Sequence, residues 1–105
     1  MVDYGLKDRV ALITGANNPQ GIGATTAFAL AREVAKYGIT VNAVAPGPTQ
    51  TGWIDDDFAK EVIPIIPMDK LIQPQDIADT ILFLASKQAQ MLTGQVIKVS
   101  GGHAL

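Results

Sequence analysis

Few residues of this chain have the types and spacing that chemistry requires, and those that do gather in two short stretches. The first is Thr14-Gly15-Ala16-Asn17-Asn18-Pro19-Gln20-Gly21-Ile22-Gly23, which follows the apolar run Val10-Ala11-Leu12-Ile13 and precedes a segment of helical periodicity. A glycine-rich turn between a strand and a helix lets backbone pass close to a pyrophosphate and aims the first free N–H groups of the helix at it. Gly15, Asn17, Gly21, Ile22 and Gly23 are therefore candidate nucleotide-binding residues. The plainer alternative is that these glycines only make a tight turn and let helix and strand pack closely. The second stretch is Pro46-Gly47-Pro48-Thr49-Gln50-Thr51, at the end of another apolar run.

No catalytic residue emerges from spacing. His103 is the single histidine and has no Ser or Asp partner placed to work with it, so it reads as a solvated residue. Asp55, Asp56 and Asp57 are adjacent, and adjacent carboxylates at a helix start diverge; with no distant ligands they read as a solvated helix terminus and not as a metal site. Cysteine is absent, which excludes disulfides and thiolate chemistry. The net charge of −2 and the lack of any Lys/Arg cluster give nucleic acid no electrostatic footprint. No apolar run approaches the ~18 residues of a membrane span. The charged start, Met1 to Arg9, lacks the apolar core of a signal peptide, so the expectation is a cytoplasmic protein with no nucleic-acid or membrane partner.

The elements that must hold these stretches are legible from periodicity. Val10 to Ile13 suits a parallel strand covered on both faces. From Ile22 a helix begins, with Ala24, Ala27, Phe28, Ala31, Val34 and Ala35 on one face, and Gly38 stands where a left-handed cap would close it. Ile39 to Ala45 is a second strand, stopped by Pro46-Gly47-Pro48. A short helix is expected over Asp55–Glu61, and Pro64 and Pro67 limit regular structure after it. Pro74 fits the first turn of a helix whose wide stripe of Ile77, Ala78, Ile81, Leu82, Leu84 and Ala85 predicts good burial. Gln95 to Val99 is a last strand, ended by Ser100-Gly101-Gly102. A chain of 105 residues with this order is one α/β domain over residues 1–105, a reduced Rossmann-like layer of about three mainly parallel strands with flanking helices.

These stretches resemble the short-chain dehydrogenase/reductase family. Residues 1–30 resemble its N-terminal glycine-loop unit, whose motif is TGxxxGxG, here with two extra residues in the loop. Residues 31–105 resemble its C-terminal segment. LAREVAKYGITVNAVAPGPTQTGW matches the end of the active-site helix, the sixth strand and the turn beside the nicotinamide. Gln73 to Ala78 matches the start of the last helix, and Thr93 to Gly102 the last strand. The resemblance implies an NAD- or NADP-dependent oxidoreductase, with Pro46, Gly47, Thr49 and Thr51 beside the nicotinamide. It also implies pairing of copies through residues 74–105. The acidic residue that would report NAD against NADP belongs to a strand that is missing; at that spacing stands Asn42, in a different strand.

The departures from the pattern are equally specific. The family's asparagine-rich NAG motif, its catalytic serine and its Tyr-x-x-x-Lys are missing. Tyr37 is followed four places on by Val41, and Tyr4 and Lys7 have the wrong spacing. The sequence reads as an internally deleted member, joined near Leu30, that folds without catalysing and keeps at most vestigial nucleotide binding, or none. Two alternatives stay open: a non-catalytic adenine-nucleotide-binding module, and a complete oxidoreductase whose middle this sequence lacks. If the strand at 39–45 lies beside the strand at 10–13, the helix between them is fixed on one face. Three strands leave two apolar edges, which a second copy would cover. Trp53 and Phe58 are expected in the core or at such an interface.

Overall fold

The computed structural model describes the backbone of residues 10–13 and all of residues 20–103. Gly15 and Asn17 of the expected loop lie outside the described residues. The elements in chain order are β1 (Val10–Ile13), α1 (Ile22–Val34), β2 (Thr40–Pro46), α2 (Asp56–Val62), α3 (Pro74–Leu84) and β3 (Val96–Val99), with single 3-10 turns after α1, α2 and α3. The strands form one parallel sheet in the order β1-β2-β3. Val10 pairs with Thr40 and Ile13 with Ala43; further along, Ala43 pairs with Val96 and Pro46 with Val99.

β2 is the central strand, and its residues Thr40 to Ala45 are all buried, as a parallel strand covered on both faces requires. On one face Val41 and Ala43 pack with Ala24, Ala27 and Ala31 of α1, and Val96 joins them from β3. Alanine at each contact position lets the helix backbone lie close to the sheet. The expected stripe of α1 is narrower than its sequence suggested: Phe28 remains 37% exposed and Ala35 is exposed. The helix tightens into a 3-10 turn at Ala35–Tyr37, which carries Ala35 off the buried face. Gly38 closes the turn in the left-handed region (φ 72°), its N–H donating to Ala35 O.

The opposite face carries a second cluster of Val62, Ile66 and Ile72, with Ile77 of α3 and Val99 of β3 packed against it. Val96 and Val99 are three residues apart in one strand, so their side chains point to opposite faces. The connection from β1 to β2 thus crosses one face through α1, and the connection from β2 to β3 crosses the other through α3. Both steps run in the same direction along a parallel sheet, so the two crossovers have opposite hand. One of them departs from the right-handed rule that governs nearly all such connections.

Local signals start the helices on this second face. Asp55 caps α2 by accepting the Phe58 N–H (2.8 Å), and Pro74 opens α3, where Asp76 Oδ2 accepts the Gln73 N–H (2.8 Å). The expectation of a well-buried α3 stripe is not met. Leu84 is buried, but Ile77 and Ile81 are half-buried, Ala78 and Ala85 are exposed, and Leu82 is 72% exposed. The reason is the width of the sheet. α3 lies against β2 and β3, and β3 is an edge, so among the described residues no further strand supports the rest of the stripe. Trp53, expected in the core or at an interface, is not in the core: it is 90% exposed on the loop before α2, and Phe58 is half exposed.

Candidate functional site

The candidate residues lie at the carboxyl ends of β1 and β2. β1 ends at Ile13 and α1 starts after Gly21, whose extended backbone (φ −79°, ψ 167°) offers no side-chain cap. The carbonyl of Gly21 accepts the Thr25 N–H (3.1 Å), and the Ile22 side chain is almost wholly in solvent. Gly21, Ile22 and Gly23 therefore present backbone at the start of the helix, with no cap from the Gly21 position itself. β2 ends at Pro46, on the strand next to β1, so the start of α1 and the Pro46–Thr51 turn follow neighbouring strands.

That turn is built by bonds within the chain. The Gly47 N–H donates to Val99 O (2.9 Å), the Thr49 hydroxyl donates to Gly47 O (2.8 Å), and the Gln50 N–H donates to Ile72 O (2.9 Å). Ile72 N–H in turn donates to Pro48 O (3.1 Å), which ties Thr49 and Ile72 into an isolated parallel bridge. The Gln50 side chain braces the next residues, with Nε2 donating to Ile54 O and Oε1 accepting the Gly52 N–H, both at 2.9 Å. Gly47 is demanded by packing: a Cβ there would lie 2.9 Å from both Cα and Cβ of Ser100. Thr51 is exposed. Pro46 and Pro48 carry no N–H, and the Gly47 and Gln50 N–H groups and the Thr49 hydroxyl hydrogen are taken up within the chain.

Sequence reasoning noted Asn42 only as the residue at the ribose-binding spacing and missed its structural role. It is fully buried in β2, and its amide bridges to the turn before β3: Nδ2 donates to Leu92 O (2.9 Å) and Oδ1 accepts the Gln95 N–H (3.2 Å). Thr93 Oγ1 accepts the Val41 N–H (3.0 Å), and Gly94 N–H and Ala43 N–H close the same join to Val41 O and Gln95 O, each at 2.8 Å. The only sequence signal was a lone amide inside an apolar strand.

His103 is half-buried beside a cleft of about 370 Å³ that Pro46, Gly47, Lys98 and Ser100 also line. Among the described residues no carboxylate lines that cleft to orient the imidazole as a base. Asp55 is the α2 cap, and Asp56 and Asp57 occupy its first turn; among the described residues no group of three or more His, Cys, Asp or Glu could hold a metal. Nor is any helix among them long and apolar enough to cross a membrane.

A dinucleotide in a doubly wound sheet lies across the crevice at the strand-order switch, with one half over the strands on each side. Here β1, which leads into the glycine loop, is an edge strand among the described residues. The described residues place sheet on one side of β1 and none on the other.

The sequence pattern of the family described as Enoyl-(Acyl carrier protein) reductase matches residues 24–104. An uncharacterized oxidoreductase of Bacillus subtilis, YjdA, is 46% identical over 82 residues, covering 76% of this chain and 33% of that protein. The 3-oxoacyl-[acyl-carrier-protein] reductase FabG of Staphylococcus epidermidis is 47% identical over 75 residues, covering 69% of this chain and 31% of that protein. Among solved structures, a hydroxysteroid dehydrogenase from Escherichia coli superposes with a TM-score of 0.80 at 28% identity, over 91% of this chain and 46% of that one. A 3-oxoacyl-[acyl-carrier protein] reductase with bound NAD from Brucella melitensis gives 0.78 at 27% identity, over 96% and 44%. The chain spans about a third of the length of the curated relatives it matches.

Proposed function

The chain belongs to the short-chain dehydrogenase/reductase family, and from that premise we propose that it is an internally deleted member, folded but without catalysis, that retains at most weak binding of a nicotinamide nucleotide, NAD or NADP. The observation that carries this reading is the position of Tyr37. It is the one tyrosine among the described residues, it sits in the turn before β2, and Val41, four residues on, is buried in that strand. The six residue steps from Thr40 to Pro46 separate it from the candidate site by about 20 Å. No proton can pass from its phenol to a substrate held at the Pro46 turn.

The test is oxidation of NADH and NADPH in the presence of ketones, quinones and 3-oxoacyl thioesters. No turnover above background is expected. Turnover in the ordinary enzymatic range, about 1–1,000 per second, and lost on changing Gly21 or Gly23, would refute the reading. An intact mass of 11.1 kDa separates it from a complete oxidoreductase whose middle this sequence lacks, because that enzyme would be far heavier.

The same reading includes self-association through residues 74–105 and the sheet edges. It is supported by the exposure of Leu82 (72%), Phe83 (49%) and Met91 (88%) beside β3, which pairs with a strand on one side only among the described residues. Light scattering coupled to size exclusion is expected to give a dimer. A species at 11.1 kDa that unfolds cooperatively would overturn it.

A further inference from the structure

The flank of α3 that meets the end of β3 carries both a hollow and a projection. A cleft of about 320 Å³ opens there; Leu71, Ile72 and Val99 give it an apolar lining, and Asp76 and Thr80 form its wall on α3. Positions 76, 80 and 83 recur at i, i+4 and i+7, so Phe83 stands on the same flank, further along the helix. It is 49% exposed, where a core aromatic would be covered. The seven residue steps from Asp76 to Phe83 span about 10 Å, roughly two helical turns.

This spacing makes the flank complementary to itself. A twofold axis beside Thr80, midway between hollow and projection, lays two copies of α3 side by side and antiparallel. Each Phe83 then reaches the cleft of the other copy, the reciprocal contact that an isologous interface requires. Thr80 suits a place on the axis because its side chain is short and its hydroxyl already donates to Asp76 O (2.9 Å), so closure strands no donor there. Charge favours the same placement. The last turn of α3 carries no basic residue, and its terminal carbonyls form the negative end of the helix dipole. Lys70 lines the cleft, so the ammonium of one copy comes to the helix end of the other. Leu82 and Met91, both exposed, widen the apolar surface around the ring.

Resting on the self-association read above, we propose that the second copy is held by reciprocal insertion of Phe83 into the cleft walled by Asp76 and Thr80. The two rings form the centre of the contact, where buried aromatic side chains contribute most to binding.

The test is light scattering coupled to size exclusion on the full chain, on Phe83→Ala, which removes the projection, on Thr80→Phe, which fills the cleft from its own chain, and on an equal mixture of the two variants. The unaltered chain is expected at the mass of two chains. Each variant alone should dissociate about tenfold more readily or more, with unchanged far-ultraviolet circular dichroism. The mixture should associate more tightly than either component, because the Phe83 of one variant finds the open cleft of the other. An unaltered dimer that neither variant weakens by more than about threefold, or a mixture no tighter than its components, would overturn the insertion and leave self-association standing. An unaltered chain found only at the mass of one chain would refute self-association itself, and the insertion with it. Should Thr80→Phe lose its fold, a mixture of isotope-labelled and unlabelled unaltered chains decides: intermolecular NMR contacts between the Phe83 ring and the Val99 methyl groups support the insertion, and their absence in a dimer overturns it.

Discussion

Replacing Asn42 with alanine removes the amide that ties β2 to the turn before β3. Leu92 O loses its donor and Gln95 N–H its acceptor, both in a partly buried setting. An orphaned partner costs about 1–3 kcal/mol when buried, and the lower end applies here because Leu92 is half-buried and Gln95 exposed. Two such losses, with the void left where a fully buried side chain stood, come to about 2–4 kcal/mol. A domain of this length holds only about 5–15 kcal/mol in total, so the effect should be plain in urea unfolding, as a lower midpoint with little change in slope. Thermal unfolding should fall by about 10 °C or more. Hydrogen exchange adds a reading that a generic core defect would not give: the amides of Gly94 and Ala43, which close the same join, should lose protection before those of α1. A loss under about 0.5 kcal/mol, with Gly94 protection unchanged, would refute the account of Asn42 as the clamp between β2 and β3.

Two residues from Asn42, Thr40 Oγ1 is buried without a hydrogen-bond partner, so Thr40→Val should stabilise by about 1 kcal/mol in the same urea assay. Gly47→Ala forces a Cβ to within 2.9 Å of Ser100 backbone and should destabilise by about 1–3 kcal/mol. A neutral effect there would mean that the Pro46 turn is not clamped to β3. Asp69 holds φ at 58°, and Asp69→Gly should recover about 1 kcal/mol, read from the unfolding midpoint. Leu82→Glu should lower the mass seen by light scattering to that of one chain without changing the far-ultraviolet circular dichroism.

Features governed by near neighbours in sequence are legible from the residues alone. The continuous apolar runs of β1 and β2, the cap at Gly38, the acidic start of α2 at Asp55 and the Pro74 start of α3 each depend on a few adjacent residues. What is not legible depends on how many strands stand beside a residue. The α3 stripe reads as a core stripe, yet Leu82 is in solvent because β3 has no outer neighbour. Trp53 reads as a core or interface residue, and it stands clear of the core on a loop braced by Gln50. Gly47 is legible as part of a strand-ending turn, although its demand for glycine comes from Ser100, 53 residues away in sequence. Asn42 carries no local signal of its role, since its partners lie 50 and 53 residues on.

The two crossovers of opposite hand connect these observations. A strand that can be covered by helices on both faces must be apolar on both, and β2 meets that demand from Thr40 to Ala45 with Asn42 as its one buried amide. An edge strand faces no such demand, yet α3 lies partly on β3, where its apolar residues outnumber the positions that the sheet can cover. The sheet is thus complete at its centre and incomplete at its margins. At the β1 margin no further strand stands among the described residues. At the β3 margin the uncovered surface is the apolar stripe of α3. The nucleotide binding proposed at the start of α1 and the self-association proposed at the β3 margin thus fall on opposite sides of β2. The two effects are separable by experiment. Leu82→Glu acts at the β3 margin and should leave the nucleotide binding proposed at the start of α1 unchanged, because β1 lies across β2 from it. A variant that lost both dimerisation and ligand binding would place the two at one shared site and refute that separation.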